Sequence, residues 1–373
     1  MSIRRYRQDR KTENESLSGL NRREFLKTAI ATGVFATGSL WGVVPYGTES
    51  GLITSCYSQT LVRQVEAKSG TDEFTFAYIS DSHLLARGKE HRFAKSLIKA
   101  VNDVNAMEPQ PDFVLYGGDL AQLGSRDELS LGKEIIAEIK PRLYMMVGEH
   151  DWYYDMGDVW REYFGKPTYS FDHKGIHFIV LNSIVVADYW SEPKMTQMER
   201  MLFMAQLDNP KGRPFTVGEE QHKWLSEDLS GVDKHIPIVV FSHSPLYKYY
   251  KAWNFWTDDA EQVQQLLSPF KTVTVIHGHT HQVLTNKIGN ITFHGMMSTA
   301  WPWPYAPEGI PKLTVQMDRP DPFNQFDGTG WGIVDTLHDG NVNKTYKLWD
   351  RNPMLVSYEK VSAGRGLVQG PSY

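Results

Sequence analysis

Phe74-Thr-Phe-Ala-Tyr-Ile-Ser-Asp-Ser-His83 is the stretch that decides the fold. Phe74–Ser80 is apolar and rich in aromatic and β-branched residues, the composition of a strand covered on both faces. It runs straight into Asp81 and His83, two residues with metal-binding side chains. The same construction recurs down the chain. Phe113–Tyr116 (FVLY) leads to Gly117-Gly-Asp119, and Leu143–Val147 (LYMMV) leads to Gly148-Glu-His-Asp151. Ile238–Phe241 (IVVF) precedes His243, and Val273–His277 (VTVIH) precedes Gly278-His-Thr-His281. Polar ligands just past strand ends suit a crevice at the carboxyl edge of a sheet. The neighbouring glycines let the backbone turn sharply and approach an ion closely.

Carboxylate and imidazole donors in this number suit two adjacent metal ions, provided one carboxylate can bridge and positions remain open for water and substrate. Of the 13 histidines, His83, His150, His243, His279 and His281 fall inside these motifs. His91, His173, His177, His222, His235, His294 and His338 have no such support, and His277 reads as the last residue of its strand.

In order and spacing the motifs resemble the calcineurin-like metallophosphoesterase family, whose pattern is D-x-H, G-D, G-N-H-D/E, H and G-H-x-H. The resemblance covers roughly residues 73–350. It implies an α/β fold of two packed mixed β-sheets flanked by helices, an α/β/β/α sandwich with a dimetal site at the strand ends. It implies that Asp81, His83 and His281 hold one metal, that His243 and His279 hold the other, and that Asp119 bridges. His150 is then expected to face the substrate, with Asp151 orienting its ring. Two divalent or trivalent ions (Fe, Mn or Zn) would activate a hydroxide that attacks phosphorus, and His150 would protonate the leaving oxygen or stabilise charge on the phosphoryl group. The expected activity is hydrolysis of phosphomonoesters or phosphodiesters. The alternative from another class is a metal-binding accessory protein with a degenerate phosphoesterase site, docking a periplasmic or surface partner. A third option keeps the dimetal site and gives it iron redox chemistry.

Glu149 departs from the family pattern, which has a neutral asparagine ligand at that position. In a rough formal count, two divalent ions with Asp81, Asp119, a bridging hydroxide and an amide keep one positive charge. An ionised Glu149 ligand cancels it, and a trivalent iron at that site restores it. The residue either ligates the second metal, turns away, or marks a site that binds metal without efficient hydrolysis.

The purple acid phosphatase branch has D-x-G where this chain has Asp81-Ser-His83, and a tyrosine where Gln122 stands. His83 resembles instead the cyclic-nucleotide-phosphodiesterase-like subgroup. Aromatic residues follow three of the motifs: Trp152, Tyr153 and Tyr154; Tyr247, Tyr249, Tyr250, Trp253, Phe255 and Trp256; and Trp301, Trp303 and Tyr305. They read either as anchors packing long loops or as a rim that stacks on a base or aryl group, with Lys248 and Lys251 beside it. The expected substrate is a small phosphoester, nucleotides included.

Asn21-Arg-Arg-Glu-Phe-Leu-Lys27, followed by a mildly apolar run from Thr28 to Val44, resembles a twin-arginine export signal. Residues 1–46 are expected to be the signal, engaging the twin-arginine translocation machinery, with 47–72 a linker and 351–373 a tail. The protein is expected to be periplasmic or extracellular. Cys56 is the sole cysteine, so no internal disulfide forms, and its context matches a lipoprotein box only loosely. The whole chain carries −5; the signal holds eight Lys/Arg against four Asp/Glu, so the remainder is near −9. An acidic body with no basic run argues against a nucleic-acid polymer as partner.

Periodicity predicts helices over His91–Met107, Ser125–Ile139, Glu219–Leu229 and Asp258–Leu267. It predicts a hairpin over Tyr169–Ser183 and strands at Ile291–Met297, Trp331–Asp335 and Lys344–Leu348, the last two completing the second sheet. Residues 302–330 read as a long loop near the site mouth.

Overall fold

A computed structural model describes residues 73–186, 195–204, 214–249, 256–303, 313–315 and 326–349. The export signal, the linker, Cys56, the tail, and Tyr250, Lys251, Trp253, Phe255 and Tyr305 lie outside the described residues.

The described strands form two sheets. One contains β1 (Thr75–Ile79), β2 (Phe113–Gly117), β3 (Arg142–Met146), β11 (Gly330–Thr336) and β12 (Val342–Leu348), in the order β12-β11-β1-β2-β3. The other contains β4 (Tyr169–His173), β5 (Ile176–Leu181), β6 (Ile238–Ser242), β7 (Val273–His277), β8 (Val283–Ile288), β9 (Ile291–Gly295) and β10 (Leu313–Val315). Its order is β10-β8-β9-β7-β6-β5-β4. β1, β2 and β3 run parallel, as do β5, β6, β7 and β9, so both sets turn their carboxyl ends to one edge. That common edge is where the motif residues emerge.

Between the sheets lies a largely aromatic core. Phe76 stacks on Phe113 at 4.7 Å and meets Phe178 and Phe241 edge-on at 6.0 and 5.7 Å. Truncating one such ring to alanine costs about 3–5 kcal/mol, because the surroundings close only partly over the void. Helices cover the outer faces. On the β1 side, α1 (Arg92–Asn105) is capped by the His91 side chain and buries Phe93, Leu97, Val101 and Val104 at helical spacing. Beside it, α2 (Arg126–Ile136) opens with a capping box made by Ser125 and Glu128. A single turn, α3 (Glu149–Trp152), follows β3, and α4 (Asp158–Phe164) follows that. After α5 (Gln197–Met204) come α6 (Glu219–Ser230) and α7 (Ala260–Leu267), which cover the larger sheet with Leu225, Leu229, Val263 and Leu267 buried. The sandwich expected from the motifs is present.

Some expectations need correction. The stretch 302–330 is not all loop: Leu313–Val315 pairs antiparallel with β8 as an edge strand. Three residues give too short an apolar run for periodicity to register. Val283–Ile288, Asp158–Phe164 and Gln197–Met204 were not anticipated. The strands at β11 and β12 extend the sheet that carries β1. Tyr247 and Tyr249 are core residues packed with the α6–α7 layer, not part of a rim.

Candidate metal centre

Every motif residue arrives at the shared edge within a few positions of its strand end. Asp81 and His83 leave β1, Asp119 leaves β2, and Glu149 and His150 open α3 just after β3. His243 leaves β6, and His279 and His281 leave β7. One sheet therefore contributes the carboxylates and the other contributes three imidazoles.

The backbone is tied before the side chains meet. The amides of Asp81 and His83 donate to the carbonyls of Gly118 and Asp119 at 3.0 Å each, joining the loops after β1 and β2. Across the sheets, the His279 amide donates to Asp81 Oδ1 at 3.1 Å, and the Thr299 amide to the Ser80 carbonyl at 3.1 Å. Asp81, His83, Asp119, His279 and His281 all have left-handed backbone, with φ between 47 and 62°. Such a conformation costs a side-chain-bearing residue about 1–3 kcal/mol and gathers at functional sites. Gly118, at φ 94°, is a glycine by necessity: a β-carbon there would overlap the His243 ring.

Two buried donor groups result. Asp81, His83 and His281 form one; Asp119, Glu149, His243 and His279 form the other. Asp119 lies between them, its Oδ2 being 3.1 Å from His243 Nε2 and 3.7 Å from His83 Nε2. In the first group, His281 Nε2 is 3.2 Å from Asp81 Oδ1 and 3.0 Å from His83 Nε2. In the second, Glu149 reaches inward with both oxygens, Oε1 to His279 Nδ1 at 2.8 Å and Oε2 to His243 Nε2 at 3.0 Å. Of the readings open for Glu149, the structure excludes the one in which it turns away.

Backbone carbonyls set the ring orientations. His243 Nδ1 donates to the Gly117 carbonyl at 2.7 Å and His281 Nδ1 to the Trp301 carbonyl at 2.8 Å, each presenting Nε2 to the centre. The Trp301 indole also lies 4.3 Å from the His83 ring and 5.1 Å from the His281 ring. Phe215 sits edge-on to His279 at 5.5 Å.

The electrostatics differ between the groups. Burial pushes the His83 imidazole well below its usual range, and neighbouring imidazoles push the same way. Burial opposes charge on His243 too, but the Asp119 and Glu149 carboxylates outweigh it and hold that imidazole well above its usual range. The donor set fits two cations. His243 Nε2 and Glu149 Oε2 are buried and close only to each other and to other donor atoms of the two groups, His83 Nδ1 is buried without a hydrogen bond, and two imidazole nitrogens face each other between His83 and His281. A cation answers the first two and the facing pair; His83 Nδ1 is outside this account.

His150 comes with a third grouping, beside His83 and Asp119, its ring edge-on to His83 at 4.7 Å. Asp151 does not orient that ring. Its Oδ1 accepts from the Ala121 amide at 2.8 Å and its Oδ2 from the Gly148 amide at 3.1 Å, so it pins the two motif loops together. The acceptor for His150 Nδ1 is the Gln122 carbonyl, at 2.6 Å. Placed at the start of a helical turn, the Asp151 carboxylate is captured by backbone donors before it can reach the neighbouring ring.

The sequence profile of the calcineurin-like phosphoesterases matches residues 74–283, which contain all five motifs. The chain belongs to this family. As a family member it is a metal-dependent phosphoester hydrolase. A probable glycerophosphodiester phosphodiesterase of Arcobacter nitrofigilis is 26% identical over 225 residues, 56% of this chain and 74% of the relative. Among solved structures, a dimetal phosphatase of Danio rerio is 15% identical with a TM-score of 0.48, covering 74% of this chain and 100% of that one. A purple acid phosphatase from yellow lupin seeds is 14% identical with a TM-score of 0.45, covering 79% of this chain and 55% of that one. In this member of the calcineurin-like phosphoesterases, the Gly117, Gln122 and Trp301 carbonyls and the Trp301 ring are parts of the site that motif reading missed. A carbonyl leaves no trace in a residue's identity, and Trp301 registered only as one aromatic among many.

Proposed function

We propose that the chain is an exported dinuclear-metal phosphodiesterase acting on small phosphodiesters. Asp81, His83 and His281 would hold one cation, Glu149, His243 and His279 the other, with Asp119 shared. The observation that carries this reading is the position of Asp119 between two buried donor groups drawn from both sheets. Two bound cations would supply Lewis-acid charge at the phosphoryl oxygens and the acidity that makes water a nucleophile at neutral pH.

The chain's own groups do the rest. With Nδ1 donating to the Gln122 carbonyl, His150 sits beside His83 and Asp119, and in its imidazolium form it can hand its Nε2 proton to the leaving oxygen and return to the neutral ring. The Gly117 and Trp301 carbonyls keep His243 and His281 in the tautomer whose unprotonated Nε2 turns its lone pair to the centre. Trp301 and Phe215 wall the first and second groups and limit water there.

Preference for diesters follows from charge. A carboxylate at Glu149 in place of an amide weakens the pull on a monoester dianion more than on a diester monoanion. The name of the Arcobacter relative points the same way. Asn21-Arg-Arg-Glu-Phe-Leu-Lys27 supports export to the periplasm or beyond, and mass spectrometry of the mature amino terminus tests it.

The test of the activity is turnover of paired aryl monoester and diester substrates with Mn2+, Fe or Zn2+ added back. Diester turnover well above that of D119N is expected. No turnover above D119N with any metal would overturn the reading.

A further inference from the structure

We infer that Glu128 is the positioning carboxylate of His150, acting through the single peptide group that joins Gln122 to Leu123. This rests on the proposed role of His150 at the leaving oxygen. Glu128 Oε2 accepts from the Leu123 amide at 2.9 Å. The carbonyl of that same peptide group, on Gln122, accepts from His150 Nδ1 at 2.6 Å. A peptide is planar and rigid, with N–H and C=O pointing in opposite directions. Fixing its N–H therefore fixes the direction of its C=O. A charge-assisted bond on the N–H also polarises the carbonyl and strengthens it as an acceptor. The result is a carboxylate–imidazole pair with one peptide group between the partners.

Helix capping alone does not account for Glu128. The capping box needs its contact with the Ser125 amide, at 3.2 Å. The shorter contact to Leu123 lies outside that motif. Glu128 is 2% exposed and forms no ion pair among the described residues. Burial pushes the Glu128 carboxyl above its usual range, and its bonds from the Leu123 and Ser125 amides pull the other way, so the Leu123 contact is one of the interactions that favour its charged form. The loop it holds is pressed against the histidine: Gly124, at φ 70°, has no room for a β-carbon, which would stand 2.6 Å from the His150 carbonyl oxygen. The other end of the loop is anchored as well, since the Gln122 amide donates to the Leu84 carbonyl at 2.8 Å.

A positioned proton donor matters most when the leaving group is poor. The experiment compares kcat for an alkyl phosphodiester with kcat for a p-nitrophenyl diester, in the metal-loaded enzyme, for the wild type, E128A, E128Q, S125A and H150A. E128A is expected to lose about tenfold or more on the alkyl substrate beyond any loss on the aryl one, comparable to the loss on removing outer partners of metal-bound imidazoles. E128Q keeps an acceptor and loses the charge, and about a threefold selective loss is expected. S125A removes the cap and the hydroxyl's bond to Glu128 but leaves the Leu123 contact; it should lower the melting temperature and leave the alkyl-to-aryl ratio unchanged. If E128A does not fold, E128Q decides. A wild-type ratio in E128Q, or an equal loss on both substrates in E128A, overturns the proposal. If H150A itself shows no selective loss on the alkyl diester, the role of His150 fails instead.

Discussion

The two donor groups sit side by side and are built differently. The first has one carboxylate, Asp81, with His83 and His281, and is covered by the half-buried indole of Trp301. The second has Glu149 with His243 and His279, shares Asp119, and is walled by the fully buried Phe215. Counting Asp119 with the second, it has two carboxylates to the first group's one. Protonation differs as well: burial and neighbouring imidazoles push protons off His83, while the Asp119 and Glu149 carboxylates hold one on His243. Neighbouring sites that share a ligand can thus ask for different ions and load at different pH.

The largest expected effect comes from removing what the groups share. D119N should abolish tight binding of both ions and lower turnover by roughly a thousandfold or more, read by metal analysis and kcat. Loss of one ion alone would show that Asp119 belongs to a single group. E149N should act on the second group only. It should weaken that site's hold on a trivalent ion by about ten- to a hundredfold and raise the monoester-to-diester ratio, as titration and paired kinetics would show. An unchanged ratio would break the link between Glu149 and substrate charge.

Protonation sharpens the contrast further. Metal needs neutral imidazole. Affinity of the second site should rise by about tenfold per pH unit from neutral pH up to the raised His243 value. That of the first should be nearly flat over the same range, because His83 is already neutral. The stability of the metal-free protein follows the opposite sign. His243 is raised in the fold, so its contribution is present below the ordinary histidine range and lost as pH rises through the raised value. E149N should flatten that decline. The smallest effect belongs to Trp301: W301F keeps the carbonyl that holds His281 and should cost the first site only about twofold in affinity, with W301A costing several-fold. An equal effect on both sites would mean that the indole does not serve the first group in particular.

The sequence made the ligand set readable because each ligand follows a buried strand by a few residues, and strand, turn and donor are all side-chain properties. Asp81, His83, Asp119, Glu149, His243, His279 and His281 meet as the motif order implied. What failed to show was set by backbone. Asp151 was expected behind His150, but two amides at the α3 turn captured it. The left-handed turns at Asp81 and His279 leave no glycine to betray them. Leu313–Val315 and the one-turn α3 are too short for any period to emerge.

The division of ligands between the sheets has a mechanical consequence. Carboxylates from the loops of β1, β2 and β3 face imidazoles from the loops of β6 and β7. Any ion held by both is a rivet through the sandwich. At a hundred times its dissociation constant, a bound ion adds about 2.7 kcal/mol against unfolding. Here that stabilisation acts at the edge where ligands from both sheets meet, so a loaded chain should resist shearing of one sheet past the other more than a chelated one.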